Sequence, residues 1–567
     1  MVFGEADLSR PYDVVVLGAG AGGMTAAAVA AREGLEVLLL EKTPLLGGTT
    51  AISGGMVWAP GNALAAAAGN TDSVAQARTY LDAVVGDRVG AELREAFLER
   101  AGEAVDYLTR NTAVQLAPVP FYPDYYPDLP GAVLAGRVLE PVAFDARELG
   151  AAFALLRPPL PEFTLFDGMM VARPDIVHFR RVFKSLRSAL RVLRLVSSYA
   201  VQRLRLHRGA NLVLGNALAA RLARSLIDQR VAVRLGADVR RLTVEGGRVA
   251  GVEVATPSGP VAVEARRGVV LATGGFSRNQ AMRAQLLPAL AGPLSAVPAG
   301  NTGDGIGLGL AAGGRIPDGN SSGAFWVPVS RFTRDGGEAA VYPHTVTDRG
   351  KPGMLAVGRD GRRFTNESDS YHEFVQAVMR ADAEHGTVPC FLVCDATSLW
   401  RYGLGAVKPM TLRLSCHLKS GYLVSAPTLR GLAEQLGVDP GGLEETVRQY
   451  NVDAEEGIDR QFGRGGNAYH RYVGDAGNRP NPAMRPLVRP PFYAVALYPG
   501  DLGTASGLAT GPDGRVLDAA GNPVPGLYAC GNDMNSVMAG CYPGPGITLG
   551  PALVFGYLAA MSLAGRN

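Results

Sequence analysis

A glycine-rich turn near the start of the chain constrains the fold more than any other feature. The run 13–17 (DVVVL) has the β-branched character of a strand buried on both faces, and a GAGAGG turn and an alanine-rich helix follow it. In this context Gly18 permits a tight turn, Gly20 lets the backbone approach a pyrophosphate, and Gly23 allows close helix-strand packing. The helix N-terminus favours the anion. The segment predicts a Rossmann-like α/β domain that binds a dinucleotide.

An acidic residue ends the second predicted strand. Glu41 follows the run 36–40 (EVLLL), at the spacing of about 20 residues where a carboxylate accepts a hydrogen bond from a ribose hydroxyl. The acid favours an unphosphorylated ribose. The glycine-rich turn by itself does not distinguish among NAD, NADP and FAD as the bound cofactor.

Length and composition bound the remaining possibilities. The chain has 567 residues, enough for two to four domains, and 19% of them are charged, so disorder is excluded. The five cysteines show no metal-ligand spacing, and we expect reduced thiols and no metal. The apolar stretch that begins at Val14 contains the nucleotide turn, and we therefore expect no membrane span there, no secretory signal and a cytoplasmic location.

Three further segments carry a family resemblance. The segment 47–55 (GGTTAISGG) resembles the one that wraps FAD in the fumarate reductase and 3-ketosteroid dehydrogenase flavoprotein superfamily. The segments 268–276 (GVVLATGGF) and 526–533 (GLYACGND) resemble its other two cofactor strands, in the same order. The resemblance implies FAD. The predicted contacts are Gly18, Gly20, Gly22, Gly23, Glu41, Lys42, Gly48, Thr49, Thr50, Ser53, Gly54, Gly55, Val239, Ala272, Thr273, Gly274, Asn279, Asp304, Gly531, Asn532, Thr548 and Leu549.

A long signature near the C-terminus narrows the resemblance. The segment 541–551 (CYPGPGITLGP) resembles the YPGPG loop of the 3-ketosteroid Δ1-dehydrogenases. The resemblance implies that the Tyr542 hydroxyl and the Gly546 amide donate to the C3 carbonyl of a steroid. Two such donors form an oxyanion hole, which acidifies the neighbouring C2 hydrogen.

Two more tyrosines match family motifs. The segment 363–371 (RFTNESDSY) resembles the one that carries the family's base, which implies that Tyr371 removes the C2 proton. A proline is expected before the base, and Ser370 stands there instead. The assisting tyrosine is predicted at Tyr125 in the segment 121–126 (FYPDYY), with Tyr126 as the rival. A phenol with a pKa of about 10 needs nearby donors or positive charge to act as a base.

The resemblance implies 1,2-dehydrogenation of 3-ketosteroids or sterol-4-en-3-ones, with hydride passing from C1 to flavin N5 and with a quinone-like or artificial electron acceptor. A Δ4-(5α)-dehydrogenase is the alternative, although Gly544 stands where a serine is expected for that reaction. A fumarate reductase is disfavoured because His344 is not followed by Pro-Thr. The alternative from a different functional class is a membrane-associated flavoprotein that binds a lipid without catalytic turnover. The oligomeric state stays open.

The motifs predict a discontinuous FAD-binding domain from residues 1–120, 211–290 and 491–567, and a cap domain over 291–490. The remaining stretch, 131–210, is predicted to be a basic helical insertion. Its segment 179–195 shows helical periodicity, with apolar residues on one face and arginines on the other. Such a helix docks on an anionic membrane or packs its apolar face into the cap, and no nucleic-acid fold supports a third possibility. A docked enzyme would lie at the inner face of the cytoplasmic membrane.

Overall fold

The computed structural model describes residues 3–4, 6–206, 208–334 and 336–566, and it has a mixed α/β fold. The strands, in chain order, are β1 (Tyr12–Leu17), β2 (Val37–Glu41), β3 (Val57–Trp58), β4 (Leu116–Pro118), β5 (Val138–Pro141), β6 (Phe144–Asp145), β7 (Asn211–Leu212), β8 (Ala232–Leu235), β9 (Asp238–Glu245), β10 (Arg248–Thr256), β11 (Gly259–Leu271), β12 (Ala324–Thr333), β13 (Ala339–Pro343), β14 (Met354–Val357), β15 (Cys390–Asp395), β16 (Val424–Ala426), β17 (Phe492–Thr504), β18 (Arg515–Leu517) and β19 (Pro523–Ala529).

The helices surround two large sheets. In chain order they are α1 (Ala21–Arg32), α2 (Ala63–Ala67), α3 (Val74–Val84), α4 (Ala91–Asn111), α5 (Arg173–Arg180), α6 (Leu186–Arg203), α7 (Leu214–Asp228), α8 (Gln280–Leu286), α9 (Asp304–Ala311), α10 (Tyr371–His385), α11 (Ala396–Tyr402), α12 (Ser415–Lys419), α13 (Leu429–Leu436), α14 (Pro440–Glu456), α15 (Ala468–Val473) and α16 (Leu549–Leu563).

The first sheet is the predicted nucleotide-binding sheet. Its main path runs β18-β19-β11-β1-β2-β8, and the strands from β19 to β8 are parallel. Val14 lies opposite Gly268 on one side and Val37 on the other, so β1 is central, and all its residues except the partly exposed Asp13 are buried. Helix α1 begins directly after the turn that ends β1. The predicted strand-turn-helix is therefore present.

The second sheet belongs to the predicted cap. Its path is β13-β12-β17-β15-β14, with β16 paired to β17, and all these pairs are antiparallel. The predicted domain boundary put 491–567 with the nucleotide-binding sheet, but β17 (492–504) lies at the centre of this second sheet because it pairs with both β12 and β15. The wider domain division stays a prediction.

The predicted helical insertion 131–210 begins with the strands β5 and β6, and its basic segment 179–195 is divided between two helices rather than forming one. The periodicity of 179–195 predicts a continuous helix, whereas α5 ends at Arg180 and α6 begins at Leu186. Ser185 has an extended backbone between them, and its hydroxyl accepts a hydrogen bond from the Ser188 amide at 3.5 Å. A serine that caps a helix competes with continuation of the preceding one. No helix among the described residues is both long and apolar enough to cross a membrane.

Candidate active site

The glycine-rich turn leaves space on one side. A Cβ atom added at Gly18 would lie 2.2 Å from the Ala272 carbonyl oxygen, and one at Gly23 would lie 2.0 Å from the Gly18 carbonyl oxygen. A Cβ at Gly20, in contrast, would meet no described atom within 4 Å, and the same holds for Gly54 and Gly531. Gly20, Gly54 and Gly531 come from separate segments, and each borders open space, as expected for backbone that approaches a bound ligand.

The Glu41 carboxylate closes the turn at the end of β2. It accepts hydrogen bonds from the Ala19 amide at 2.8 Å and from the Thr43 amide at 2.8 Å. The sequence predicted a ribose contact for this carboxylate, and its two oxygens keep lone pairs for such a hydroxyl while they hold the backbone in place.

The segment 47–55 folds back onto the turn. The Gly47 amide donates to the Ala19 carbonyl at 2.8 Å, and the Thr50 hydroxyl accepts from the Ala21 amide at 3.0 Å. Ser53 connects it to α7 because its carbonyl accepts from the Gly215 amide at 3.1 Å. Gly48 lies against Gly20. Of the predicted contacts, Gly48 and Thr50 lie against the turn, and Thr49 lies beside Asn301. Ser53 and Gly55 lie against the start of α7, Gly22 is in the first turn of α1, and Gly54 borders open space.

Asp533 joins the ends of β11 and β19. Its carboxylate accepts from the Thr273 amide at 2.5 Å and from the Gly275 amide at 3.0 Å. Burial raises the pKa of Asp533, and the donors on Thr273 and Gly275 oppose the rise. Asn301 holds the neighbouring turn, because its amide donates to the Gly274 carbonyl at 2.8 Å. Sequence reasoning assigned no role to Asp533 or Asn301, although Asp533 ends a motif segment.

The remaining predicted cofactor contacts lie at the edges of this cleft. Lys42 and Asp304 form an ion pair at 2.6 Å, and Asn279 donates to the Thr302 carbonyl at 2.9 Å. Val239 lies farther out, on β9, opposite Val254 of β10. Ala272, Gly531 and Asn532 follow strands of the parallel sheet, and Thr548 and Leu549 begin α16.

Three tyrosines predicted for catalysis meet in one buried cluster. The Tyr371 hydroxyl donates to the Tyr542 hydroxyl at 2.6 Å, and the Tyr125 hydroxyl donates to the Tyr371 hydroxyl at 3.3 Å. The ring centroids of the three lie 5.1 to 5.8 Å apart. We call Tyr125, Tyr371 and Tyr542 the tyrosine cluster. Tyr126 lies apart, because its hydroxyl donates to the Glu373 carboxylate at 2.6 Å.

Burial governs the protonation of the cluster. It raises the pKa of Tyr371 and that of Tyr125 well above the ordinary value. Burial also raises the pKa of Tyr542 to about 12, and the hydrogen bond from Tyr371 opposes that rise. Of the three tyrosines, Tyr542 therefore has the least raised pKa. Before a ligand enters, its hydroxyl oxygen accepts the hydrogen bond from Tyr371. A ligand carbonyl needs Tyr542 as a donor.

Gly546 supplies the other predicted donor. Its φ of 95° is left-handed, and an added Cβ would lie 2.5 Å from the Met56 carbonyl oxygen. Its carbonyl accepts from the Gly550 amide at 2.8 Å and from the Trp58 amide at 3.2 Å. Among the described residues its own amide has no hydrogen-bond acceptor. The amide is therefore available to a ligand oxygen.

A second layer fixes the loop that carries Tyr542. Trp58 donates through Nε1 to the Asp124 carboxylate at 3.0 Å, and Arg137 donates to the same carboxylate at 2.7 Å. Burial raises the pKa of Asp124 to about 6, and the Arg137 charge opposes the rise. Pro543 is held from the same side, because its carbonyl accepts from the Tyr125 amide at 3.0 Å.

The comparisons with known proteins bear on the family and the fold. Residues 13–549 match the FAD binding domain family. The chain is 40% identical over 555 residues to 4-oxocyclohex-2-ene-1-carboxylate 5-dehydrogenase of Sinomonas cyclohexanicum, covering 97% of this chain and 93% of the relative. It is 38% identical over 569 residues to 3-oxosteroid 1-dehydrogenase of Mycobacterium tuberculosis, covering 98% of each. The fold is also similar to the crystal structure of 3-ketosteroid Δ1-dehydrogenase from Sterolibacterium denitrificans in complex with 1,4-androstadiene-3,17-dione, with a TM-score of 0.91. The two sequences are 39% identical, and the match covers 98% of this chain and 100% of that one.

The chain belongs to the FAD-binding flavoprotein family that includes the 3-oxosteroid 1-dehydrogenases. The fold, the FAD cofactor and the oxidoreductase class predicted from the sequence are thereby confirmed. The individual residue roles stay predictions.

The cleft of this flavoprotein fits FAD. Gly20 and Gly531 leave room for close backbone approach, and α1 begins directly after Gly20, so its N-terminus favours an anion there. No described group of three or more His, Cys, Asp or Glu side chains could hold a metal ion. His344 is buried and satisfied: its Nδ1 lies 2.6 Å from the Asp348 carboxylate and its Nε2 lies 2.7 Å from the Ser330 hydroxyl.

Proposed function

We propose that this flavoprotein introduces a double bond between C1 and C2 of the A ring of 3-ketosteroids or sterol-4-en-3-ones. Tyr542 and Gly546 bind the C3 carbonyl oxygen, and Tyr371 accepts the proton from C2. FAD, when bound, accepts the hydride from C1. An external quinone-like acceptor completes the turnover, because the two electrons must leave before the next substrate reacts.

The distance between the Tyr371 and Tyr542 hydroxyls carries the proposal. In a cyclic ketone the carbonyl carbon and the carbon that loses its proton are directly bonded. The donor to the carbonyl and the base must therefore lie side by side, and these two oxygens lie 2.6 Å apart. The free Gly546 amide adds the second donor. Donors that meet the oxygen where negative charge develops stabilise the enolate more than the ketone.

The Δ4-(5α) alternative is disfavoured by packing around Gly544. A Cβ added there would lie 2.9 Å from Trp58 Nε1 and 3.3 Å from an Asp124 carboxylate oxygen. A serine in this loop would disturb the Trp58–Asp124–Arg137 contacts that hold it.

A monocyclic ring ketone is the second candidate substrate. The relative that is 40% identical is named for a 4-oxocyclohexene carboxylate, and its ketone lies in a six-membered ring like the steroid A ring. The same pair of tyrosine oxygens suits both compounds, since only the carbonyl and the adjacent carbon are contacted.

Anaerobic mixing of the purified holoenzyme with a substrate panel tests the proposal. The panel contains a 3-keto-4-ene steroid, a sterol-4-en-3-one and 4-oxocyclohex-2-ene-1-carboxylate. We expect the steroid or sterol ketone to bleach the flavin band and to lose two hydrogens by mass. Bleaching by the carboxylate alone would select the second candidate, and no bleaching by any of the three would reject both.

The basic insertion supports a proposal about location. Phe183 is 91% exposed and Leu186 is 78% exposed, and Leu190 and Leu193 are also exposed. The apolar face of α6 is therefore not packed into the cap. Lys184, Arg187, Arg191 and Arg194 are exposed as well, and residues 176–227 contain no acidic residue. The predicted basic residue Arg180 has a side chain outside the described set.

We propose that this segment docks the enzyme on an anionic membrane surface, from which poorly soluble sterols are loaded. Sedimentation with anionic vesicles tests it. We expect binding at low salt that is lost when Phe183, Leu186, Leu190 and Leu193 are changed to serine, and weakened when Lys184, Arg187 and Arg194 are changed to alanine. The exposed pair Arg430→Ala and Arg448→Ala serves as the charge control. A wild-type enzyme that stays in the supernatant would contradict docking.

A further inference from the structure

A buried phenol outside the predicted motifs reaches the backbone of the candidate site. Helix α3 buries Ala77, Tyr80 and Leu81, at the i, i+3 and i+4 spacing of one helix face. Tyr80 is 0% exposed. Its hydroxyl oxygen lies 2.6 Å from the Pro543 carbonyl oxygen and 3.3 Å from the Tyr126 amide nitrogen. The hydroxyl therefore meets two backbone groups that belong to the segments of the site.

The direction of both hydrogen bonds is fixed by the partners. A carbonyl oxygen only accepts and an amide N–H only donates, so the Tyr80 hydroxyl donates to Pro543 and accepts from Tyr126. Burial raises the pKa of Tyr80 above its ordinary value, so the phenol keeps its proton and this arrangement when the enzyme is assayed near neutral pH.

The two partners are sequence neighbours of the tyrosine cluster. Pro543 follows Tyr542, and Tyr126 follows Tyr125. The Pro543 carbonyl also accepts from the Tyr125 amide at 3.0 Å, whereas the Tyr126 amide has no acceptor among the described residues other than the Tyr80 hydroxyl. One hydroxyl thus joins the segment of Tyr125 to the loop of Tyr542.

The ring of this phenol is held by a buried cation. The central carbon of Arg137 lies 5.4 Å from the Tyr80 ring centroid and 5.5 Å from that of Trp58. Arg137 is fully buried, and it is paired with Asp124 at 2.7 Å. The Trp58 amide in turn donates to the Gly546 carbonyl at 3.2 Å. The packing around Tyr80 therefore extends along the loop as far as Gly546.

A structural role alone would require less of this hydroxyl. Buried backbone groups need hydrogen-bond partners, but the Pro543 carbonyl already has the Tyr125 amide. The bond from Tyr80 adds a second donor to the same oxygen, and a carbonyl with two donors has less freedom to tilt than a carbonyl with one. This carbonyl lies in the loop between Tyr542 and Gly546, the two predicted donors to the substrate.

We propose that Tyr80 is a positioning residue whose hydroxyl fixes the loop 542–546 relative to Tyr125 and thereby aligns the Tyr542 hydroxyl and the Gly546 amide with the substrate carbonyl. It acts through the Pro543 carbonyl and touches no substrate. Displacement of a catalytic group by about 1 Å can slow a reaction about 10²-fold, so the loss of one hydrogen bond behind the loop is sufficient to affect the rate. The inference rests on the proposed dehydrogenation.

Tyr80→Phe in the holoenzyme tests this assignment, because it removes the hydroxyl and keeps the ring. With a 3-keto-4-ene steroid we expect kcat and kcat/KM to fall together by about tenfold, with KM unchanged, since the alignment is needed in the transition state. Stopped-flow measurement is expected to show the same loss in the rate of flavin reduction. The flavin content stays that of the wild type, because neither hydrogen bond of this hydroxyl involves a predicted FAD contact.

Tyr12→Phe is the matched control. Tyr12 is also 0% exposed, and its hydroxyl donates to a backbone carbonyl, that of Asp7, at 3.0 Å, but it lies at the start of β1. We expect this variant to lose melting temperature without losing kcat. A wild-type kcat in Tyr80→Phe, a raised KM at constant kcat, or an equal loss of kcat in Tyr12→Phe would overturn the proposal.

Failure of the positioning role and failure of the proposed reaction give different results. A wild-type flavin that no ketone reduces would reject the dehydrogenase function. A wild type that is reduced by the steroid, together with a Tyr80→Phe variant that is reduced equally fast, would reject the role of Tyr80 alone.

Discussion

At the scale of residues, two hydroxyl oxygens from distant parts of the chain define the site. Tyr371 comes from the cap and Tyr542 from the loop before α16, and they meet at 2.6 Å. Burial disfavours a phenolate on either one, so the mechanism depends on what surrounds them. The Tyr125 hydroxyl, which donates to Tyr371, opposes the rise in the Tyr371 pKa.

Replacing the base tests its role directly. We expect Tyr371→Phe to lower kcat by about 10²- to 10⁴-fold, because general-base assistance is lost. The flavin absorbance is expected to persist, since no described cofactor contact involves this hydroxyl. Stopped-flow reduction measures the rate. Tyr126→Phe is the matched control. An equal loss of kcat in that variant would contradict the assignment, because it would give the assisting role to Tyr126, which contacts Glu373, instead of Tyr125.

Motif reasoning named three tyrosines that the fold brings together, but it left the register of the FYPDYY segment open. Adjacent residues point in different directions, and only the fold shows that Tyr125 faces Tyr371 while Tyr126 faces Glu373. Asp124 in the same segment was missed, because its role depends on Trp58 and Arg137.

At the scale of elements, the start of α10 places the base. Ser370 is its N-cap, and the hydroxyl accepts from the Glu373 amide at 3.2 Å. The sequence predicted a proline at this position, and the serine found there supplies a capping acceptor that a proline side chain lacks. In the insertion the prediction of one continuous helix was wrong, because the apolar periodicity of 179–195 continues through the break between α5 and α6 at Ser185. Hydrophobic periodicity predicts which face of a helix is apolar, but it does not predict where a capping residue ends one helix and begins the next.

Loss of the cap is expected to affect both stability and rate. Ser370→Ala removes one acceptor at the α10 N-terminus and costs about 1 kcal/mol in the free energy of unfolding. Tyr371 is the first residue of the helix, so we also expect a lower kcat with little change in FAD affinity. Ser370→Asp restores the cap. A kcat that is unaffected in the alanine variant would show that packing alone places the base.

The connection between β13 and β14 predicts a pH-dependent stability. Burial alone raises the pKa of Asp348, but His344 and the amides of Gly405 and Arg349 outweigh it and hold the pKa at about 2. Its stabilising contribution is therefore complete above the ordinary carboxyl pKa of 3.8 and is lost as the pH falls towards 2.

We expect Asp348→Asn to lower the free energy of unfolding by about 2 kcal/mol at pH 7, with the difference shrinking below about pH 4. Denaturant titrations at several pH values measure it. Asp513→Asn, in an ion pair with Arg515 at the surface, serves as the control with a small effect. A difference that stays constant with pH would contradict the assignment.

At the scale of the whole molecule, the cofactor motifs join segments from both ends of the chain: the turn after β1, the segment 47–55 and the residues that follow β11 and β19. FAD binding is therefore expected to stabilise the folded chain as a unit. At an FAD concentration 100 times Kd the gain is about 2.7 kcal/mol. Gly20→Val fills the open side of the turn, so we expect it to abolish this gain while the melting temperature without FAD stays unchanged. A lower melting temperature without FAD would show that Gly20 serves the packing instead.

In the proposed reaction the tyrosine pair contacts one carbonyl and its neighbouring carbon, and everything beyond that ring is left to other parts of the chain. Tyr371, Tyr542 and Gly546 all lie outside α6, the helix that carries most of the proposed docking face. The two proposals therefore assign reaction and delivery to different parts of the chain. Exchange of α6 between relatives is then expected to alter which compounds arrive, whether from water or from a lipid phase, and to leave the bond-breaking step as it is.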